Sequence, residues 1–537
     1  MQETFDYIVV GAGSAGCVLA NRLSESGKYS VCLVEAGPLD RSPMIGIPGA
    51  FAYFMFSKRY NWAYASKPDP KLRHGAPIFT PRGKTLGGSS AINGMLYVRG
   101  QKEDYDCWAA LGNDGWSYQD MLPYFKKSEH HEVFAGNEYH GRGGPLYVST
   151  GEPQYPMSEA FVKAAQQVGY QYNEDYNAED QEGVFYYHLN IKHGRRWGTS
   201  AAFLKPAMQR PNLTVLTETQ VKRVILDGDT ATAVEVHCKG MDLRLDAQRE
   251  IILSAGAINS PQLLQLSGIG EREHLEGLAI ECRHELPGVG KNLQEHVDAC
   301  VLVTARKNDG VTMTVPGLLR MAPDTLKYLF RREGKLAKSI TEAGAFLKTS
   351  DDLARPDIQL HMLPLLFDDS GRDLKLMSNP GYSCHVCVLH PQSTGTVMIR
   401  SNDPYVAPEI DYNFFAHEKD RETMVKGVRV VRKILAAAAF DEYRGDEIHP
   451  GTDCESDEDI FYKVREKIGL VYHPVGTCKM GSDDEAVVDT QLRVRGLKHL
   501  RVVDASIMPK LIGGNTNAPT IAIAEKAADM ILSEEAN

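Results

Sequence analysis

Hydrophobic residues fall along this chain in short apolar runs separated by Gly-rich punctuation. Phe5–Val10 reads as a buried strand, residues 14–23 repeat with helical spacing, and Val31–Val34 is a second apolar run. Together they form a strand–turn–helix–strand unit. Residues 38–100 are rich in Gly, Pro and aromatic side chains with little periodicity, which predicts long loops and short helices. Ser158–Gly169 has a helical period. Asn212–Val236 and Asp242–Leu253 alternate like strands around a turn at Asp227-Gly228-Asp229, and Ile251–Ala255 leads into a helical stretch at Ser260–Gln265.

From residue 297 to 450 the character changes. Ile358–Leu363, Ser383–Leu389 and Thr396–Ile399 read as strands and Glu418–Ala439 as a helix, the mark of a separate α+β unit. Residues 470–535 return to Gly-rich turns, then a strand at Leu500–Val503 and a helix at Thr520–Leu532. A chain of 537 residues exceeds one ordinary core. The expected division is one discontinuous domain of 1–155, 212–296 and 470–537 and a second of 156–211 and 297–469. The first is α/β and Rossmann-like; the second is α+β with an antiparallel sheet.

The net charge of −11, with no dense Lys/Arg run, argues against nucleic-acid binding. Ten scattered cysteines fit a reducing compartment better than a disulfide framework. Cys384-His385-Val386-Cys387 has no second pair to complete a zinc site and reads as two core thiols on a strand, so no metal is expected. The first strand begins at Phe5, leaving no room for a signal peptide ahead of it, and no run of 18 apolar residues spans a membrane. A cytoplasmic protein is expected. Leu318–Phe330 is amphipathic, with Arg331-Arg332 after it. The plainer reading is a helix packed on its own domain; a lid, or peripheral contact with the inner face of a membrane, is the alternative.

Gly11, Gly13 and Gly16 form a G-x-G-x-x-G turn between the first strand and its helix. The first glycine permits the turn, the second lets a pyrophosphate approach the backbone, and the third lets helix and strand pack closely. The helix N-terminus offers N–H groups and a positive dipole end to phosphate. Glu35, 19 residues after Gly16, stands where an acid accepts ribose hydroxyls and repels a 2′-phosphate. This predicts a dinucleotide site without choosing FAD over NAD.

Further segments make the choice. Arg82-Gly83-Lys84-Thr85-Leu86-Gly87-Gly88-Ser89-Ser90-Ala91-Ile92-Asn93-Gly94 resembles the first signature of the glucose–methanol–choline oxidoreductases, and Gly256-Ala257-Ile258-Asn259-Ser260-Pro261-Gln262-Leu263-Leu264 the second. Leu286–Gln294, His473-Pro474-Val475-Gly476-Thr477 and Gly514–Thr520 resemble other family segments in the family's order. The resemblance implies FAD. It places the pyrophosphate at Gly11, Gly13 and Gly16 and the adenosine ribose at Glu35. The Gly87–Gly94 loop (Gly87, Gly88, Ser89, Asn93, Gly94) would lie along the pyrophosphate and isoalloxazine, and Val221 would meet the adenine. Asp504 and Ala505 would sit by the ribityl and pyrophosphate, and Asn515, Asn517 and Thr520 near the flavin ring. Ser14, Ala15, Ala36, Arg82 and Ala255 complete the expected contacts. Members that link FAD covalently use a histidine where this chain has Ala91-Ile92, so FAD is expected to be non-covalent.

The implied reaction is oxidation of an alcohol to an aldehyde, with hydride passing to flavin N5. His473 is the expected general base and Asn517 the group that orients the substrate oxygen. A small-molecule alcohol and a quinone-like electron acceptor are the expected partners, as in bacterial alcohol and choline dehydrogenases. An oxygen-using oxidase, a choline dehydrogenase and an FAD-containing hydroxynitrile lyase are the alternatives. Glu342, before Ala343-Gly344-Ala345-Phe346, reads either as a structural carboxylate or as a cation-binding group in the substrate site; the former is the plainer reading.

Overall fold

The structure is a computed structural model and describes residues 3–368 and 371–534. Its centre is a seven-stranded mixed sheet. The order is Leu213–Leu216, Val31–Val34, Thr4–Val10, Met241–Leu253, Thr230–Cys238, Thr219–Asp227, with Leu500–Val502 also pairing Met241–Leu253. The long strand serves two neighbourhoods. Its first half runs antiparallel to Thr230–Cys238, while Ile251–Leu253 lies between Thr4–Val10 and Leu500–Val502, parallel to both. The parallel strands are buried at nearly every position because helices cover the sheet, which is why they read as unbroken apolar runs. The helices Ser14–Ser24 and Asn517–Glu534 pack together beside it, so the two ends of the chain complete one core.

A second seven-stranded sheet is antiparallel. Its order is Arg444–His449, Val297–Ala305, Gly381–Val388, Ile358–Leu363, Ala343–Leu347, Gly183–Tyr186, with Gly469–Leu470 also on Val297–Ala305. One face packs on the helices Pro156–Gln167 and Glu418–Leu435. The same core takes in Tyr64, Leu72 and Ile78 from the early loops. Cys384 and Cys387 are buried on the Gly381–Val388 strand; three positions apart, they point to opposite faces and cannot share a ligand. The chain is thus mixed α/β with antiparallel strands, as expected.

Residues 38–100 hold short 3-10 turns such as Pro48–Phe56 and Gly88–Ala91 rather than long helices. The helix expected to run to Ala439 ends at Leu435, and a short turn Ala438–Phe440 follows. The amphipathic segment departs from the plainer reading. It folds as two helices, Val315–Arg320 and Ala322–Arg331, whose large apolar side chains Leu318, Leu319, Leu326, Leu329 and Phe330 face solvent, Phe330 at 83% exposure. Tyr328 alone among them is buried and donates to the carbonyl of Gly46. Among the described residues, no helix is long and apolar enough to cross a membrane.

Candidate active site

A cavity of about 360 Å3 runs between the two sheets. One end is bounded by Glu35, Ala36 and Val221. The middle passes the N-terminus of the first helix at Gly13, Ser14 and Ala15, and the other end reaches His473 and the second sheet. Of the residues expected at the site, all line this cavity except Gly16 and Gly87. Gly16 acts in packing: a Cβ there would lie 1.9 Å from the Gly11 carbonyl oxygen. Gly87 carries the turn that starts the glycine loop, with φ +88, and donates to the Ala12 carbonyl. The next residue, Gly88, packs its backbone on Gly13, and a Cβ would meet Gly13 Cα at 2.7 Å.

The donor set fits a dinucleotide. The first helix has no side-chain cap and no acid in its first turn, so its positive end is open to an anion. The Gly13 Cβ position is open, with nothing nearer than 3.8 Å. Glu35 accepts from Ala12 N and Gly37 N, one bond per oxygen, which leaves each oxygen a lone pair for a ribose hydroxyl. Burial raises its pKa to about 7 despite those two bonds. Asp504 accepts from Gly256 N, Ser260 Oγ and Ser506 N and so ties the C-terminal strand end to the helix Gly256–Leu266. Ser89 Oγ accepts from Gly83 N, and Asn93 Oδ1 accepts from Met95 N. Arg82 donates to the carbonyls of Pro81 and Tyr472. Thr520 Oγ1 donates to the Thr516 carbonyl.

Arg196, which the sequence does not single out, clamps the glycine loop. Buried, it donates to the carbonyls of Ile45, Ser90 and Asn93 and to Asn93 Oδ1. Every partner is a neutral oxygen, and burial pushes its pKa down to about 9.

His473 follows Tyr472, whose φ of +69 turns the chain, and precedes Pro474, which keeps His473 extended. Glu295 Oε1 accepts from the backbone N–H groups of both His473 and His296. The protons on the two rings follow from their partners. His296 Nε2 faces the carbonyls of Leu389 and Ile512, which only accept, so Nε2 carries hydrogen and Nδ1 is bare. His296 Nδ1, 3.0 Å from His473 Nδ1, therefore accepts a hydrogen bond from the His473 Nδ1–H. That leaves His473 Nε2 as a lone pair. Asn515 meets it: its Oδ1 accepts from Gln359, and its Nδ2 donates to His473 Nε2 at 3.0 Å. Burial, then His296, pulls the His473 pKa well below 6.5, so the ring is neutral. Asn517, expected to complete the catalytic pair, lines the cavity at the start of the last helix, with its Oδ1 taken by Ser14. The amide bonded to His473 is Asn515.

Glu342 accepts from Gln154 N, Tyr155 N and Ser158 Oγ and is not among the cavity-lining residues. The structural reading of this carboxylate agrees with those bonds; the cation-binding one does not.

The family profile described as GMC oxidoreductase matches residues 5–298, and its C-terminal counterpart matches 391–524. The chain belongs to the GMC oxidoreductases. This GMC oxidoreductase is 43% identical to an alcohol dehydrogenase (acceptor) of Pseudomonas putida, over 98% of this chain and 96% of that one. It is 42% identical to an oxygen-dependent choline dehydrogenase of Rhizobium rhizogenes, over 98% and 96%. Among solved structures it resembles an FAD-dependent oxidoreductase from Chaetomium thermophilum at a TM-score of 0.88 and 29% identity, covering 99% of this chain and 100% of that one. GMC oxidoreductases are FAD flavoproteins, and this member is an oxidoreductase of that kind.

Proposed function

We propose that this protein oxidises a neutral alcohol to an aldehyde, with His473 Nε2 taking the hydroxyl proton and with FAD held non-covalently. The observation that carries the reading is the ordered pair of imidazoles. Two carbonyls set the His296 tautomer, His296 sets that of His473, and the unprotonated Nε2 that results is met on the cavity wall by the Asn515 amide, which an alcohol hydroxyl would displace. A neutral imidazole so placed can accept the alcohol proton, and Asn515 and Asn517 can donate amide hydrogens to the substrate oxygen. Bound FAD supplies the hydride acceptor. Gly11, Gly13, Ser14, Ala15 and Gly88 would hold its pyrophosphate, Glu35 and Val221 its adenosine, and Asp504, Ala505 and Thr520 the flavin half. Residues 1–155, 212–296 and 470–537 serve that binding, and 156–211 and 297–469 form the substrate side. Ala91-Ile92 in the glycine loop supports a non-covalent link, since neither side chain can form one to the flavin. A neutral substrate is favoured over choline because Glu342 is not among the residues that line the cavity.

For the electrons we propose a quinone-like acceptor in an anionic bilayer on which the helices 315–331 rest. Six exposed apolar side chains there, Val315 among them, are accompanied by Arg320, Lys327, Arg331 and Arg332 against Asp324, on a chain whose net charge is −11. Behind the patch, Tyr328 bonds the carbonyl of Gly46, two residues before Pro48–Phe56, from which Phe51 and Met55 line the cavity. On this reading the protein sits peripherally on the inner face of a cytoplasmic membrane.

The test is anaerobic mixing of the yellow protein with a panel of alcohols, followed at about 450 nm. Bleaching by alcohols is expected, and His473→Ala should slow it by roughly 10²–10⁴-fold with FAD still bound. Bleaching by dithionite but by no alcohol would remove the oxidation reading and favour the lyase. Peroxide equal to product on admitting air would replace the quinone with oxygen.

A further inference from the structure

We propose that the floor of the cavity, at Asp298, His385 and His361, binds a second hydroxyl of the substrate, so that the preferred alcohols are diols with an apolar spacer. This rests on the alcohol-oxidation reading and names its substrate class.

The floor is the cavity-facing side of the antiparallel sheet. Along Val297–Ala305, Val297, Ala299 and Val301 pack into the core, while Asp298 and Cys300 point the other way and line the cavity. Cys300 lies opposite His385, and His385 opposite His361, so the three form a row across neighbouring strands with Asp298 beside it. Phe79, Leu363 and Phe367 wall the same space. An apolar cavity with a polar floor is an arrangement suited to a molecule carrying one polar group at its far end.

The protons on this floor can be worked out. His385 Nδ1 lies 2.7 Å from Asp298 Oδ2, and its Nε2 lies 3.2 Å from the carbonyl of Phe367, which only accepts. Both ring nitrogens therefore donate. The geometry reads as an imidazolium at His385 and a carboxylate at Asp298; burial opposes both charges and raises the Asp298 pKa, while on His385 the facing carboxylate outweighs burial. The other oxygen, Asp298 Oδ1, is buried and has no hydrogen-bond partner, and neither has His361 Nδ1. The two side chains are 6% and 7% exposed, and His361 stacks on Tyr187 with its ring neutral, because burial pushes its pKa down to about 3. Buried polar atoms are rarely left without partners, and two on the wall of one cavity point to a ligand that supplies them.

The chemistry selects the ligand. A carboxylate oxygen asks for a donor, which a substrate carboxylate cannot supply. A substrate ammonium finds no net negative charge, because His385 neutralises Asp298, Lys467 pairs with Asp368 and Arg73 also lines the cavity. A neutral hydroxyl donates one hydrogen bond and accepts others, which suits Asp298 Oδ1 and the His361 imidazole.

The experiment compares kcat/KM for 1-propanol through 1-octanol with the matching α,ω-diols, on the FAD-loaded protein. At one chain length or more, the diol should be preferred by at least about tenfold, the discrimination expected of a buried charge-assisted hydrogen bond. Asp298→Ala and His361→Phe should each drive that ratio toward one, with FAD absorbance and melting temperature reporting whether the variant is folded. A ratio near one at every length in the wild type overturns the proposal, as does a preference that survives in both variants. If no alcohol of either series bleaches the flavin, the alcohol-oxidation reading itself has failed, an outcome distinct from bleaching without preference.

Discussion

Replacing His296 tests the proton ordering directly, because His296 does not line the cavity and acts through His473. In His296→Leu the carbonyls of Leu389 and Ile512 lose their donor, and His473 Nδ1–H loses its acceptor. A buried N–H left without a partner costs about 1–3 kcal/mol. His473 can escape that cost by moving its proton to Nε2. There the proton meets the Nδ2 donor of Asn515, and the base needed for the reaction is gone. The competent tautomer therefore loses about the same 1–3 kcal/mol, which is roughly a 5- to 150-fold fall in its population. The assay is stopped-flow flavin reduction at saturating alcohol, without oxygen, on protein whose FAD content matches the wild type. The expected result is a fall in the reduction rate within that range and below the loss in His473→Ala. His296→Gln, which can still offer an acceptor to His473, should recover part of it. A reduction rate within twofold of wild type in His296→Leu, with FAD fully bound, would refute the relay.

Arg196→Met should loosen the glycine loop. With the donors to Ser90 and Asn93 gone, FAD is expected to dissociate about tenfold more readily, equal to roughly 1.4 kcal/mol; unchanged retention on dilution would show that the clamp does not serve the cofactor. Leu329→Ser with Phe330→Ser should weaken co-sedimentation with phosphatidylglycerol vesicles by tenfold or more, since each buried side chain contributes about 1.5–3 kcal/mol; equal binding of the variant, or none by the wild type, sinks the bilayer contact. Thermal stability should peak near pH 6.5. Burial raises Glu35, Glu295 and Glu342 to about 7, 8 and 7, so the folded protein gains their protons first and stability climbs as pH falls from about 8. Burial lowers His131, His188, His296, His361, His390 and His449 to about 3 or 4, so below about 6.5 the unfolded chain takes up their protons first and stability falls. A melting temperature that changes in one direction only from pH 8 to pH 5 would contradict the balance.

What could be read from the sequence is what local chemistry dictates. The turn at Gly11, Gly13 and Gly16 and the acid at Glu35 lie within one strand–helix–strand unit, where spacing alone sets geometry, and all but Gly16 reach the cavity. The partners of His473 are another matter. His296 is 177 positions away, and Arg196 stands 103 positions from the Asn93 it holds. Their roles exist only once two sheets bring the segments together, and no periodicity encodes that meeting. Leu318–Phe330 fails differently. An amphipathic helix states that it has an apolar face but not what the face meets; inward packing is the plainer reading of the pattern, and the structure turns the face outward.

The strands of the second sheet carry a signal of a third kind. Ile358–Leu363 and Gly381–Val388 are apolar enough to be recognised as buried strands, yet each holds a histidine, and Val297–Ala305 holds an aspartate. A charge or imidazole inside such a strand costs free energy unless something pairs with it. His385 and Asp298 pair with each other, which accounts for one oxygen of the carboxylate and leaves the other, together with His361 Nδ1, on the cavity wall. The flavin chemistry proposed above does not need these groups, because it sends the proton to His473 and the hydride to the cofactor. On the proposed reading, a buried polar floor that catalysis leaves unused serves recognition: it gives one substrate hydroxyl an energetic reason to lie at the sheet and so fixes which hydroxyl is presented to His473.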